Sequence, residues 1–177
     1  MPTPPMPIDS AAPLRGLAPV AGPNTRLLLL GSFPSEASLR AQQYYAHPRN
    51  QFWPLLSALF GVDLGAMPYA RRLEEVQARG LGIWDVYAAC EREGSLDTSI
   101  RHARPNELGA LVARLPLLQG IAHNGGESAR SMARTRGLAP HCWRLPSSSP
   151  ANASWSFERK LAAWREVFAA CGLVHGG

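Results

Sequence analysis

The sequence is poor in cysteine, poor in lysine and free of long hydrophobic runs. Its 177 residues include three cysteines, and this odd number at wide spacing argues against a disulfide framework and against a four-cysteine metal site. The longest aliphatic run, Leu27 to Leu30, is far shorter than the ~20 apolar residues that a transmembrane helix needs. The five histidines show no paired spacing of the kind that binds metal. We therefore expect a cytoplasmic protein without a membrane span and without a metal.

Positive charge exceeds negative charge in this chain. Lys and Arg total 18 against 13 for Asp and Glu, which gives a formal net charge of +5. Such a charge favours a polyanionic partner such as nucleic acid. All of the basic residues except Lys160 are arginine, so the nucleotide composition of the gene can account for part of the bias. The charge supports a nucleic-acid partner without identifying one.

Proline is concentrated at the start of the chain, where residues 1–23 contain seven. Because proline lacks a backbone donor and fixes a dihedral angle unsuited to helices, residues 1–24 are predicted to form a flexible proline-rich arm. This stretch has neither the basic start nor the long apolar segment of a secretory signal. Residues 25–177 are predicted to form a single domain, because their number is typical of one domain and 46% of the chain is hydrophobic.

Short apolar runs and helical spacings alternate through the rest of the chain. Buried strands are predicted over 26–30, 81–86, 118–123 and 142–145, and helices over 50–60, 69–79, 106–115, 126–134 and 157–171. Strands that alternate with helices indicate an α/β fold. The predicted fold class is a three-layer sandwich with a central four-stranded, mostly parallel sheet flanked by helices.

Four loops leave the carboxyl ends of the predicted strands: residues 31–35, 85–88, 124–126 and 146–152. Ligands of parallel sheets bind at this edge, so these loops are predicted to form the functional site. The first of them fits two interpretations. It is either a turn into a helix capped by Ser35, or a tight exit at Gly31 whose backbone amides face a ligand.

The segment from Gln43 to Trp53 is the part of the chain densest in aromatic and hydrogen-bonding groups. In a structural interpretation, Phe52 and Trp53 belong to the apolar face of the following helix and Asn50 caps its start. In a functional interpretation, a tyrosine ring stacks on a nucleobase and a carboxamide orients a water molecule or contacts a base edge.

Three segments together resemble the signature of the hypoxanthine-DNA glycosylases, a branch of the uracil-DNA glycosylase superfamily. They are Leu30–Ser35 (LGSFPS), Tyr44–Trp53 (YYAHPRNQFW) and Leu145–Ala151 (LPSSSPA), and smaller similarities lie at Trp84–Val86 and Gly94–Asp97. The resemblance spans about residues 24–164. It implies the fold of that superfamily and a monofunctional DNA glycosylase that removes a deaminated base, leaves an abasic site and uses no cofactor.

The resemblance also implies roles for individual residues. Many superfamily members carry Asp or Asn at the position of Phe33, which can neither hold a water molecule nor accept a proton. In the hypoxanthine branch that task falls on the residue that matches Asn50, our candidate catalytic group, which positions water without taking its proton. Tyr45 is implied to stack on the extruded base, and the backbone of Ser32 and Phe33 to contact its edge.

Two further side chains lie at predicted strand ends. Asn124 is expected either to line the base pocket or to close the turn with the glycines that follow it. Asp85 is the alternative general base if Asn50 serves only as a helix cap, although an Asp at a strand end is also a common turn former.

The loop after the last predicted strand carries Ser147, Ser148 and Ser149, whose hydroxyls and amides can contact phosphate without a fixed charge. By resemblance, this loop enters the minor-groove side of DNA and helps to extrude the base. Relatives often carry an Asn near its start and an apolar wedge within it. Here Ser147 stands at the start, and Pro150 and Ala151 are the nearest wedge candidates.

Two other functions stay open beside a glycosylase acting on DNA that contains deaminated bases. One is a noncatalytic protein of the same fold that binds damaged or mismatched DNA. The other is a hydrolase of free nucleosides, for which the positive charge would be incidental. The preference among hypoxanthine, uracil and xanthine is also open, and the expected protein is a monomer.

Overall fold

The computed structural model describes residues 1–2 and 12–176. These residues form seven strands: β1 (Leu14–Arg15), β2 (Leu27–Gly31), β3 (Leu81–Asp85), β4 (Tyr87–Glu91), β5 (Arg101–Pro105), β6 (Gly120–Asn124) and β7 (His141–Leu145). Strands β2, β3, β6 and β7 make a parallel sheet in the order β3-β2-β6-β7. The predicted four-stranded sheet is confirmed, and each of its strand pairs is parallel.

Helices flank this sheet. They are α1 (Glu36–Ala41), α2 (Phe52–Phe60), α3 (Tyr69–Ala78), α4 (Leu108–Val112), α5 (Gly126–Ala129), α6 (Met132–Thr135) and α7 (Phe157–Ala170), with 3₁₀ turns at Leu64–Ala66 and Asp97–Ser99. Helix α2 packs against α7, α3 contacts β3, and α5 contacts β2, β6 and β7. The predicted α/β class is confirmed. Across the described residues, none of these helices is both long and apolar enough to cross a bilayer.

The burial of β2 on both faces of the sheet explains why the sequence predicts this strand. The four leucines of β2, Leu27 to Leu30, are all fully buried, because β2 lies between β3 and β6 and is covered on both faces. A strand buried in this way shows a continuous apolar run and no alternation. The sheet therefore fixes where β2 ends, and with it the place of the loop that starts at Ser32.

A second, three-stranded antiparallel sheet was not predicted. It has the order β1-β4-β5, and β4 follows β3 after a bend at Val86. The predicted strand over 81–86 therefore ends one residue early and is followed by another strand. All five residues of β5 are exposed, so that strand leaves no apolar pattern in the sequence.

The predicted arm over residues 1–24 needs correction at its carboxyl-terminal half. Leu14 pairs with Cys90, and Val20 exchanges backbone hydrogen bonds with Ile83 of β3 at 2.7 and 2.8 Å. The folded domain thus starts before residue 25. Proline removes only its own donor, and the residues between the prolines still pair and pack. Residues 3–11 of the predicted arm lie outside the described residues.

Other differences concern boundaries. The helix predicted over 106–115 is the shorter α4, and the one predicted over 126–134 is divided into α5 and α6 around Arg130 and Ser131. Helix α1 follows the first strand-end loop, in agreement with one of the two interpretations of that loop. The Ser35 side chain accepts a hydrogen bond from the Ser38 backbone N–H at 3.1 Å, as the capping interpretation predicted.

Candidate active site

A cleft of about 690 Å³ opens at the carboxyl edge of the parallel sheet. Each of the four predicted loops contributes to its lining, because parallel strands end at the same edge. The segment between α1 and α2 and the residues after β4 complete its walls. Of the predicted site residues, the cleft is lined by Ser32, Phe33, Tyr45, Asn50, Asn124, Ser147, Ser148, Ser149 and Ala151. Pro150 is exposed and stands outside this lining.

Asn50 lies at the cleft just before helix α2. Its Oδ1 accepts a hydrogen bond from the Phe52 backbone N–H at 2.9 Å, so the side chain satisfies one of the free amides at the start of the helix. The next residue, Gln51, donates its backbone N–H to the carbonyl of Ser148 at 2.9 Å. The structural interpretation of Asn50 is thus correct, and the same side chain also faces the cleft.

The Tyr45 ring lies on the Phe52 ring with 3.8 Å between centroids and 15° between planes. Its backbone φ is +55°, a left-handed conformation that non-glycine residues adopt uncommonly. Burial is the main cause that raises the pKa of the Tyr45 phenol far above its usual value. The hydroxyl therefore stays protonated, and the ring is held in one orientation by the residue behind it.

Asn124 connects the floor of the cleft to the loop after β7, residues 146–152, which we call the serine loop. Its Nδ2 donates to Ser148 Oγ at 2.9 Å and to the Tyr45 hydroxyl at 3.3 Å, and its Oδ1 accepts from the Ser148 backbone N–H at 3.0 Å. Asn124 lines the cleft, and its side chain bonds to the serine loop and Tyr45, not to the glycines that follow it. Because both ends of the amide are engaged within the protein, Asn124 acts as a positioning residue here.

Asp85 ends β3 and is 4% exposed, and its Oδ2 has no hydrogen-bond partner among the described residues. Burial, together with the negative charge of Asp97, raises its pKa to about 7, while Arg92 acts in the opposite direction. A Cβ placed on Gly31 would come within 2.5 Å of Asp85 Oδ1 and 3.1 Å of the Tyr45 hydroxyl. Glycine at position 31 is what lets this carboxyl lie against β2.

Two residues after β4 hold the first loop in place, and no local sequence pattern indicates either contact. Ser32 Oγ donates to Asp97 Oδ1 at 2.6 Å, and Arg92 Nη2 donates to the Pro34 carbonyl at 2.6 Å. The Arg92 guanidinium also lies 5.3 Å from the Phe33 ring centroid. These residues are about sixty positions apart in the chain, and the antiparallel return of β4 and β5 brings them together.

The serine loop is stiffened by its own hydroxyls. Ser147 Oγ accepts from the Ser149 backbone N–H at 3.1 Å, and Ser149 Oγ accepts from the Ala151 N–H at 3.2 Å. Behind the loop, Lys160 is 2% exposed and donates its Nζ to Gln51 Oε1 at 2.8 Å. The residue that precedes α2 is therefore bonded both to the serine loop and to α7.

The sheet and cleft define an α/β protein with its candidate site at the carboxyl edge of a parallel sheet. Comparison with known proteins gives the family: the chain belongs to the Uracil DNA glycosylase superfamily, whose family model matches residues 18–168. Two similar proteins are the hypoxanthine DNA glycosylases of Methanosarcina barkeri and Methanosarcina acetivorans. Each is 38% identical over 154 residues, which cover 87% of this chain and 97% of the relative.

A solved structure supports the same class. A solution NMR structure from Methanosarcina acetivorans, provisionally assigned by its solvers as a uracil DNA glycosylase, superposes with a TM-score of 0.79. The two chains are 37% identical, and the match covers 89% of this chain and 97% of that one. The resemblance inferred from the three sequence segments is confirmed.

Proposed function

We propose that this protein is a monofunctional DNA glycosylase. It hydrolyses the N-glycosidic bond of hypoxanthine, uracil or both in DNA, and the abasic site that remains initiates base excision repair. The names of its hypoxanthine DNA glycosylase relatives support this substrate class. One observation carries the proposal: the segment with Tyr45 and Asn50 and the serine loop, which is far from it in the sequence, line a single cleft.

The target base has to leave the duplex before it can enter this cleft. Extrusion requires unstacking and unpairing, which are easier for a mispaired base, so a deaminated base opposite an ill-matched partner is favoured before any pocket contact. In the proposed complex the base stacks on the face of Tyr45 opposite Phe52, and the backbone of Ser32 and Phe33 contacts its edge. The stacked pair of rings gives the base a rigid surface.

Cleavage of the glycosidic bond builds positive charge on the sugar and negative charge on the departing base. We assign Asn50 the task of holding the attacking water. Its Oδ1 accepts one hydrogen bond from Phe52 and keeps a second lone pair for water. A carboxamide steers water by hydrogen bonds and does not take its proton. The helix contact fixes the side chain, so the capping and catalytic roles support each other.

The serine loop is proposed to contact the DNA strand through Ser147 and Ser149, with Pro150 and Ala151 at its exposed end. Ser148, predicted as a further DNA contact, is 1% exposed, and its hydroxyl and backbone N–H are bonded to Asn124, so its role is to shape the loop. Hydroxyls and amides position phosphates without reading sequence. Asn124 belongs to the base pocket in this proposal. It bonds to the Tyr45 hydroxyl and to Ser148, so that the serine loop and the Tyr45 ring keep a constant separation.

Asp85 is the competing candidate for general base. It lines the same cleft, and a pKa of about 7 allows its carboxylate to accept a proton near neutral pH. The two candidates differ in pH dependence. If Asp85 takes the proton of the water, the single-turnover rate rises with pH through about 7, and Asp85→Asn abolishes that rise. If Asn50 alone positions the water, no such ionisation is required.

The experiment that tests the function uses end-labelled DNA carrying hypoxanthine, uracil or xanthine at one position. Each DNA is incubated with the protein and then divided, with and without hot alkali. Strand breaks that appear only after alkali are the expected result, because a monofunctional glycosylase leaves an intact backbone at the abasic site. Their distribution among the substrates identifies the preferred base.

Two other results would replace the proposal. Tight binding of lesion-containing DNA without any alkali-sensitive product would indicate the noncatalytic binding protein. Release of base from free deoxyinosine, with no response to added duplex, would indicate the nucleoside hydrolase. The proposed enzyme acts as a monomer in the cytoplasm, and sedimentation of the protein with and without DNA tests the first of these points.

A further inference from the structure

The loop between β4 and the 3₁₀ turn at residues 97–99 presents an apolar side chain at the mouth of the cleft. Leu96 lines the cleft and is 57% exposed. Across the described residues, the other exposed large hydrophobic side chains are Met1 and Leu117. Leu117 precedes β6 and thus lies at the opposite edge of the sheet, away from the cleft.

Single exposed leucines are ordinary on protein surfaces, so exposure alone does not assign a role. What distinguishes Leu96 is that its neighbours are fixed on both sides. Ser95 Oγ accepts from the Glu36 backbone N–H at 3.0 Å, and Asp97 Oδ1 accepts from Ser32 Oγ at 2.6 Å. The Leu96 carbonyl also accepts from the Ser99 N–H at 3.0 Å.

The start of the loop is fixed as well. Arg92 Nε donates to the Gly94 carbonyl at 2.8 Å, while its Nη2 holds the carbonyl of Pro34. Gly94 has a φ of +73°, a turn conformation that suits glycine. The backbone around Leu96 is thus tied to the cleft wall, and the leucine is the large side chain that this loop directs outward.

The serine loop does not supply such a side chain. Its exposed end carries Pro150 and Ala151, which are small or rigid. Trp155, which follows, is half-buried, and Arg159 covers its ring with the guanidinium carbon 3.8 Å from the centroid. An extended apolar side chain at the cleft mouth is therefore found on the loop that carries Leu96.

We propose that Leu96 inserts into the duplex beside the extruded nucleotide and fills the space that the base has left. The partner is double-stranded DNA, so this inference rests on the proposed glycosylase function. Apolar wedges between base steps unstack and open a duplex because their burial offsets lost stacking. A side chain on a fixed backbone loses little conformational freedom when it inserts. Insertion therefore costs less for Leu96 than it would for a side chain on a mobile loop.

The test compares Leu96→Ala with Leu117→Ala, which removes the other exposed leucine. Single-turnover cleavage is measured on a duplex with hypoxanthine paired to cytosine, on the same duplex with an abasic analogue opposite the lesion, and on the single strand. In the proposed complex Leu96 is buried between base pairs of the opened duplex. Its replacement by alanine is therefore expected to slow cleavage of the paired duplex by about 10-fold or more. The other two substrates need less opening, so their rates stay close to wild type.

A second readout does not depend on cleavage. With 2-aminopurine next to the lesion, duplex opening by wild type and by Leu117→Ala raises the fluorescence in a stopped-flow experiment, and Leu96→Ala is expected to lose most of that rise. Leu96→Met, which keeps an apolar chain of similar volume, is expected to restore both readouts.

The outcomes separate the two proposals. Equal slowing of all three substrates, or a paired-duplex rate that matches wild type, overturns the role of Leu96 while the glycosylase function stands. Absence of alkali-sensitive product from every substrate with the wild-type protein overturns the glycosylase function itself.

Discussion

Asn50 caps the start of α2 and is the residue proposed to hold the attacking water, so a substitution there must separate the two roles. Asn50→Ala removes both the contact to the Phe52 N–H and the proposed water contact. We expect the single-turnover rate on hypoxanthine DNA to fall by about 100-fold or more, since an oriented polar group at the reacting centre contributes on this scale. DNA affinity, measured by fluorescence anisotropy, stays measurable.

The matched control is Asn50→Ser, because a serine oxygen also caps helices well. It should melt close to the wild-type temperature and still lose most of the activity. If Asn50→Ser and Asn50→Ala keep wild-type turnover, Asn50 is only a cap, and Asp85 becomes the catalytic candidate.

The second residue-scale prediction concerns the stability contributed by Asp85. Its folded pKa of about 7 lies above the ordinary value of 3.8, so the folded state binds the proton more tightly than the unfolded state. Between pH 4 and 7, the contribution of Asp85 to the free energy of unfolding therefore falls as pH rises, by up to about 4 kcal/mol. Asp85→Asn removes this titration and keeps the shape of the side chain.

We expect the stability advantage of Asp85→Asn over wild type, measured by urea unfolding, to grow from about pH 5 to about pH 8. Asp63→Asn is a suitable control. Asp63 caps the exposed turn at residues 64–66 at the surface, away from the cleft. A difference between Asp85→Asn and wild type that stays constant across this pH range would show that the buried carboxyl does not titrate there.

At the level of elements, Asn124 connects β6 to the serine loop and to the segment before α2. Replacing it with alanine removes three hydrogen bonds and leaves the Ser148 backbone N–H buried without a partner. We expect a loss of about 2 kcal/mol in the free energy of unfolding, together with faster amide exchange in residues 146–152.

Asn152→Ala is the control within the same loop, because its side chain donates a single bond, to the Ser147 carbonyl at 3.2 Å. Its effect on stability should be less than half that of Asn124→Ala. Faster exchange confined to β6, with the serine loop unchanged, would contradict the linking role of Asn124.

The elements differ in how well the sequence predicts them, and burial explains the difference. Strand β2 is found because all of its leucines face the core. Strand β5 is missed because its residues are all exposed and its arginines resemble a solvated loop. The contacts of Arg92 and Asp97 depend on that strand pair, so this wall of the cleft could not be derived from the sequence.

The grouping of the candidate site residues at one cleft was predictable for a different reason. Tyr45, Asn50 and the serine loop carry chemistry that a core does not need, and the parallel sheet dictates that loops after its strands converge. Their detailed bonding was beyond sequence reasoning. Nothing in the sequence indicates that Asn124 uses both ends of its amide inside the protein, or that Asp85 leaves an oxygen without a partner.

For the whole molecule, the net charge predicts how binding depends on salt, and this dependence distinguishes a DNA substrate from a small-molecule substrate. The net charge is +5, and a duplex contact that neutralises about four phosphates makes affinity fall by about 100-fold between about 50 and 200 mM salt. Anisotropy titrations with a lesion-containing duplex measure this slope. A nearly flat response would indicate that the net charge does not serve DNA binding.

The only lysine of the chain has a practical consequence. Lys160 is buried and held by Gln51, whereas the other basic side chains are arginines. Amine-reactive dyes should therefore label the folded protein at the amino terminus and spare the surface that meets the substrate. Acylation of Lys160 would occur only when α2 and α7 separate, so its extent, measured by mass spectrometry, would report how often they do.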